Sequence, residues 1–341
     1  MSQEGSPKKP MIRSLVASSE SSKCDEPIIR NIQIPDLETA LADNRQMWLD
    51  IVDPTSEELQ WLAQQFDLSP AVTQDLARED RRPALLVYPS YLFISLFEPY
   101  FDYKRIGSKE IHCIVTDHCF ITVRHSDAAS VENAYDRVAK NPFSWEGGIA
   151  YLLYLTAQSV IDTYYPLLDR ISNQLNSLEE KLMEDGENHD DARQPIFRLK
   201  QQLINLRQMI APQREVMSSV IGERRVTEHA ETRDLFRHLY ERLLRIYDVV
   251  DAQRDLASNV LDMIQNQESR KLMEAVNRLT IFSMIFLPLT FLSGLFELNF
   301  ATTSNPVELP VSGAVMFIGV IGAMILSASV MTILFRQRGW I

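Results

Sequence analysis

The chain has 341 residues, 45% hydrophobic and 23% charged, with a formal net charge of −12. That acidity argues against a nucleic-acid partner, because the chain would repel a phosphate backbone. Cys24, Cys113 and Cys119 show no framework spacing, which argues against a disulfide scaffold and for a reducing compartment.

Residues 1–27 are rich in Ser, Lys and Pro without a sustained apolar run. They are no signal peptide and read as a disordered cytosolic tail. Residues 28–145 read as a cytoplasmic α/β domain. In it Glu57–Phe66 and Ala71–Glu79 pattern as short helices, and Tyr91–Phe97 and Phe120–Val123 as strands rich in β-branched and aromatic side chains. His112, Cys113, His118 and Cys119 are zinc-ligand types. A hairpin through Thr116, Asp117 and His118 would send adjacent residues to opposite strand faces, so a core role is the expectation.

Residues 146–222 read as long antiparallel helices. Ile149–Met183 is offset at Pro166, and a second stretch runs from Pro195 to Gly222 with Pro212 inside it. Glu184, Asp185, Glu187, Asp190 and Asp191 mark the turn between them, expected as a solvated tip rather than a cation site.

Residues 223–278 read as a stalk helix. No Gly or Pro occurs from Glu223 to Leu287, about 65 residues, or roughly 95 Å of helix if unbroken. Leu235, Leu239, Leu243, Ile246, Val250, Leu256, Val260, Met263 and Ile264 recur mostly at three- and four-residue steps, so long helical partners are needed along that side.

Two uncharged runs follow. Leu279–Phe296 is about 18 positions long, near the lower limit for a membrane span, and a second run covers Leu309–Phe335. They assign 279–297 as a first transmembrane helix, 298–311 as a short external loop, 312–335 as a second span and 336–341 as a cytoplasmic tail. Arg270, Lys271 and Arg278 precede the first span, and Arg336 and Arg338 follow the second. The loop holds Glu308 and, at its edge, Glu297, with no Lys or Arg, so both termini belong in the cytoplasm.

On the first span Val276, Thr280, Ser283, Leu287, Thr290, Gly294 and Glu297 follow alternating four- and three-residue steps and share one helix face. Small and hydroxyl residues on one face serve either close helix packing or a pore enclosed by several copies.

The segment NRLTIFSMIFLPLTFLSGLFELNF, Asn277–Phe300, resembles the first transmembrane segment of the CorA superfamily of divalent cation transporters, including its ZntB branch. The shared features are the Asn-Arg-x-Thr start, the FLPLTF centre and the Gly-Leu-Phe before a terminal Asn. EDRRPALLVYPSYLFISLFEP (Glu79–Pro99), FITVRH (Phe120–His125) and APQREVM (Ala211–Met217) fit the same family, so the likeness covers the chain from about residue 30 onward. It departs at the signature: Gly-Met-Asn, or Gly-Val-Asn in the zinc-type branch, is here Glu297-Leu298-Asn299. Met273 also stands where the magnesium-type proteins usually have Asn.

The resemblance implies a funnel-shaped homopentamer: an α+β membrane protein with a cytoplasmic α/β domain, long stalk helices and two transmembrane helices per subunit. It places Asn299, Glu297 and Leu298 at the pore entrance. Gly294, Thr290, Leu287, Ser283, Thr280 and Val276 would line the pore, and Asp234, His238 and Asp262 are candidate cytoplasmic metal sensors. The implied cargo is Mg²⁺ or a transition metal such as Zn²⁺, Co²⁺ or Ni²⁺, held at Asn299 and Glu297. The implied partners are further copies of the chain and membrane lipid, without nucleic acid. No nucleotide loop, catalytic triad or metalloprotease motif occurs, so no enzymatic activity and no tightly bound cofactor are expected. The altered signature leaves a second expectation, a non-conducting membrane-anchored scaffold or metal sensor of the same fold.

Overall fold

A computed structural model describes residues 11–17, 28–31, 34–79, 82–102, 105–184, 190–300 and 313–338. The chain divides into two compact units, Met1–Leu261 and Asp262–Ile341.

The first unit is built on a seven-stranded sheet. Its strands are β1 (Met11–Ala17), β2 (Ile28–Arg30), β3 (Met47–Val52), β4 (Ala84–Val87), β5 (Leu92–Asp102), β6 (Arg105–Val115) and β7 (Cys119–Arg124). The order is β2-β1-β3-β7-β6-β5-β4, and β3–β7 is the parallel pair. The central strands are buried on both faces, which explains why they read as continuous apolar runs rather than alternating ones. On one face α1 (Ile34–Ala42), α2 (Ser56–Gln65) and α3 (Pro70–Leu76) pack Leu37, Leu59, Leu62, Val72 and Leu76 onto Met47, Leu49, Ile51 and Ile121. Local chemistry fixes where these helices start. Thr55 and Glu58 form a capping box on α2, and Ser69 caps α3 with Pro70 in its first turn.

On the other face of β3 lie Trp48 and Asp50. Trp48 packs on Phe120 and on Tyr135 of α4 (Ala129–Lys140), with ring centroids 5.1 and 5.4 Å away. Asp50 is fully buried and accepts from Arg124 at 3.0 and 3.2 Å and from Thr122 at 2.7 Å; Arg13 of β1 also donates to it. Glu132 of α4 closes the cluster by accepting from Arg13 and Arg124. Burial alone would raise the Asp50 carboxyl, but the Arg124 and Arg13 guanidiniums outweigh it and hold the group below the usual carboxylate range.

β1 corrects the expectation that 1–27 is a disordered tail. Met11–Ala17 pairs with β3 on one side and β2 on the other, burying Leu15 and Val16. Seven residues carry little periodic signal, and their stability comes from neighbours distant in sequence, including two carboxylates that neutralise Arg13.

After α4 and a 3₁₀ turn (Pro142–Trp145), α5 (Gly148–Asp162) ends where α6 (Tyr164–Glu184) begins. Pro166 lies in the first turn of α6, where its missing N–H costs nothing. Then α7 (Asp190–Gly222) brings Gln213 against β5. β4 pairs with β5 only as far as Ser95, and at Phe97 the Gln213 side-chain amide takes the missing strand's place. It accepts from the Phe97 N–H at 3.0 Å and donates to its carbonyl at 3.2 Å. Of the expected acidic tip, residues 185–189 lie outside the described residues.

The expected helix from Glu223 starts instead at Ala230: α8 runs from Ala230 to Phe300, 71 residues with Pro288 inside. Residues 223–229 form a turn held by Thr227 donating to the Glu223 carbonyl at 2.8 Å and by Arg225 donating to the Tyr88 carbonyl at 2.9 Å. Gly222 ends α7, and these bonds keep the helix from resuming at 223, in a stretch that itself holds no Gly or Pro. Phe236, Leu239, Leu243, Ile246 and Val250 are buried along its packed side within the first unit.

The second unit holds the remainder of α8 and α9 (Gly313–Gln337). Each of these two helices contains a window long and apolar enough to cross a membrane, and neither window is buried within the chain.

Candidate functional site

The polar stripe lies on α8 in the second unit. Val276, Ser283, Leu287, Thr290 and Gly294 are exposed and Thr280 is half-buried. The opposite side, with Ile281 buried and Ile285, Leu289 and Leu292 half-buried, is the better covered one. One chain therefore leaves the small and hydroxyl-bearing face open.

Each hydroxyl on that face is satisfied inside its own helix. Thr280 Oγ1 donates to the Val276 carbonyl at 2.8 Å, Ser283 Oγ to Leu279 at 2.9 Å and Thr290 Oγ1 to Phe286 at 2.9 Å. In an apolar medium an unpaired hydroxyl is costly, and bonding to the carbonyl four residues back removes that cost without a partner helix. The donor is then committed, and the oxygen's remaining lone pairs point away from its own backbone as acceptors.

The stripe extends below the span. Asp262, Asn266, Ser269 and Met273 continue the same alternating steps and are all exposed. Asn266, Ser269 and Met273, with Arg270 and Glu274, line a shallow groove of about 500 Å³. Asn266 and Ser269 are absent from the sequence-derived site, although carrying the periodicity downward past Val276 finds both.

At the other end the backbone of Glu297, Leu298 and Asn299 forms the last turn of α8, where a loop from 298 was expected; their side chains are not among those described. Asp234, His238 and Asp262 are exposed and do not gather into one cluster within a chain. Asp234 pairs with Arg237 at 3.1 Å, and Asp262 lies much farther along α8. Among the described residues no group of three or more His, Cys, Asp or Glu could hold a metal ion.

Of the four zinc-ligand types, His112, Cys113 and Cys119 take part in the core, whereas His118 sits exposed in the hairpin turn. His112 Nδ1 lies 3.2 Å from Ser95 Oγ, with its ring stacked on Phe93, while Cys113 and Cys119 are buried and burial pushes both thiols up. Cys24 lies outside the described residues.

The chain is similar in sequence to transport proteins and in fold to a solved structure. The cobalt/magnesium transport protein CorA of Thermotoga maritima is 27% identical over 328 residues, which cover 92% of this chain and 89% of that protein. The zinc transport protein ZntB of Yersinia pseudotuberculosis is 27% identical over 255 residues, 74% of this chain and 76% of that one. The complete structure of the CorA magnesium transporter from Methanocaldococcus jannaschii matches in fold with a TM-score of 0.76 at 20% identity, covering 97% of this chain and 99% of that one. A sequence model of the family described as CorA-like Mg2+ transporter protein matches residues 43–337, taking in the sheet from β3 onward, the stripe and both candidate spans, and the chain belongs to that family.

Proposed function

We propose that the protein carries divalent metal cations across the cytoplasmic membrane through a pore that α8 builds from several copies, five on the family pattern. The observation that carries this reading is the open stripe. A membrane helix presents a hydroxyl-bearing face that its own chain leaves uncovered, with the hydroxyl donors of Thr280, Ser283 and Thr290 already committed to the helix. One copy cannot enclose a channel. A ring of copies turns each stripe position into a ring of acceptors, matched to the O–H groups of a hydrated cation.

In this arrangement the spans cover 279–297 and 312–335, joined by an external loop at 298–311. Arg270, Lys271, Arg278, Arg336 and Arg338 hold both termini in the cytoplasm. Asn299 supplies a ring of amides at the mouth and Glu297 a ring of carboxylates beside it, with Leu298 between them. Leu287 is an apolar constriction midway, and Thr280 and Val276 stand at the cytoplasmic end. Asp234, His238 and Asp262 respond to cytoplasmic metal across neighbouring copies, since no single chain gathers them. The chain's likeness to a cobalt/magnesium and to a zinc transport protein is 27% in each case, so identity does not choose the cargo. A carboxylate where the family has Gly favours a partly dehydrated transition ion such as Zn²⁺, with Co²⁺ and Ni²⁺ in the same class, over Mg²⁺.

Uptake of Zn²⁺ and Mg²⁺ into proteoliposomes, measured separately against empty vesicles, tests this. We expect flux of both ions to exceed the control and Zn²⁺ to dominate. Dominant Mg²⁺ uptake would mean that Asn299 alone sets the filter. No flux of either ion from a verified pentamer would leave the scaffold or sensor reading in its place.

A further inference from the structure

Basic side chains bracket the two candidate spans: Arg270, Lys271 and Arg278 on α8, and Arg336 and Arg338 at the end of α9, all exposed. α9 contains no Asp or Glu, so Arg336 has no carboxylate on its own helix, and Arg338 follows directly after that helix. Among the described residues no carboxylate lies within ion-pair distance of Arg270, Arg278, Arg336 or Arg338. Ile281 and Phe335 are the most buried side chains of the two spans, at 9% and 7% exposure. Arg278 stands one turn before Ile281 and Arg336 directly after Phe335. Two successive spans of one chain run antiparallel, so these ends share one membrane face.

A guanidinium offers a planar fork of donors that fits two phosphate oxygens at once, and it is more weakly hydrated than an ammonium. Glu274 is the carboxylate one turn from Arg278 on α8, and no ion pair joins them among the described residues; the excess of guanidiniums at one edge of the two spans matches the charge of an anionic leaflet. We infer that Arg278, Arg336 and Arg338 bind the phosphodiester headgroup of an anionic phospholipid of the cytoplasmic leaflet, and that this contact goes beyond a generic positive flank. The inference rests on reading α8 and α9 as spans and does not depend on transport.

The test uses the full chain in nonionic detergent, titrated with phosphatidylglycerol or phosphatidylcholine. The readouts are the thermal midpoint and the lipid retained in native mass spectrometry. Phosphatidylglycerol is expected to raise the midpoint by several degrees and to stay bound, while phosphatidylcholine does neither. Combining Arg278→Gln, Arg336→Gln and Arg338→Gln should weaken apparent phosphatidylglycerol affinity by about tenfold or more. The corresponding Lys replacements should keep part of it, and Arg105→Gln, on the exposed start of β6, should keep all of it. If the triple variant folds poorly, about 0.5 M NaCl should erase the preference in the unaltered chain. Equal responses to the two lipids, or a triple variant that behaves like the parent, would overturn the inference. So would millimolar inorganic phosphate that raises the midpoint as far as the lipid does. A chain that stays dispersed without detergent would defeat the two-span reading itself, a result distinct from all of these.

Discussion

Leu243 and Leu287 are the same residue on the same helix, yet the first is 1% exposed and the second 75%. In the first unit α8 turns Phe236, Leu239 and Leu243 inward and leaves Asp234, His238 and Glu241 outside, as water demands. In the second, Phe282, Phe286, Leu287 and Phe291 stand outward while Thr280, Ser283 and Thr290 bond to their own backbone. Burial stabilises the first part at roughly 25 cal/mol per Å² of apolar surface. Lipid offers the second part no such drive, because its tails are as apolar as leucine, and only packing and hydrogen bonds can hold helices together there. Exposed apolar area on α8 is therefore a property of the surrounding medium, and in the proposed pore what the medium does not supply comes from other copies.

The largest expected effect tests the second region's proposed role. Asn299→Ala should reduce uptake to the empty-vesicle level while the native mass of the oligomer is unchanged; unimpaired flux would remove Asn299 from the path. In the first region, Asp50→Ala leaves two arginines of the buried cluster short of an anion. It should cost about 3–5 kcal/mol in denaturant unfolding followed by circular dichroism. Leu243→Ala should cost about 2–5 kcal/mol, whereas Leu287→Ala should change stability by less than about 1 kcal/mol and alter flux instead. Equal stability losses at the two leucines would mean that the stripe is packed core, and the contrast would fall.

A pH series separates the regions further. Asp50 has a folded pKa below its unfolded value of about 3.9, so its stabilisation is complete above that pH and is lost as pH falls through the folded value. Thermal midpoints between about pH 2 and 7 should decline at the acid end, and Asp50→Asn should flatten that decline. The smallest effect belongs to Ser283→Ala. Its hydroxyl bonds only to Leu279, so stability should shift by no more than about 1 kcal/mol. A large loss of oligomer in that variant would favour helix packing over pore lining.

Patterns that repeat over many residues were legible in the sequence. The two apolar runs, the heptad-like packing of α8 and the stripe each span several turns, and a hairpin rich in β-branched residues announces β5 to β7. Features that depend on partners far along the chain were not. Arg13 becomes intelligible only beside Asp50 and Glu132, and Gln213 only when β4 leaves Phe97 uncovered. The turn at 223–229 escaped because what delays the new helix after Gly222 is a threonine hydroxyl and an arginine reaching the β4–β5 turn, not a Gly or Pro within it. In the site, the stripe was visible from its spacing, whereas the role proposed for Asn299 came from resemblance to a motif.

The order of elements along α8 also bears on how the protein is made. The sheet, α1 to α7 and the buried half of α8 all precede the first apolar run, which begins near Leu279. At about 5–20 residues per second, the Leu261 boundary of the first unit lies roughly 13–50 s of synthesis after Met1. The first unit thus leaves the ribosome before either candidate span does. That unit can acquire its structure before the candidate span of α8 has been made. On the proposed topology, insertion then begins with the first unit already synthesised, and that unit settles which side of the bilayer it keeps.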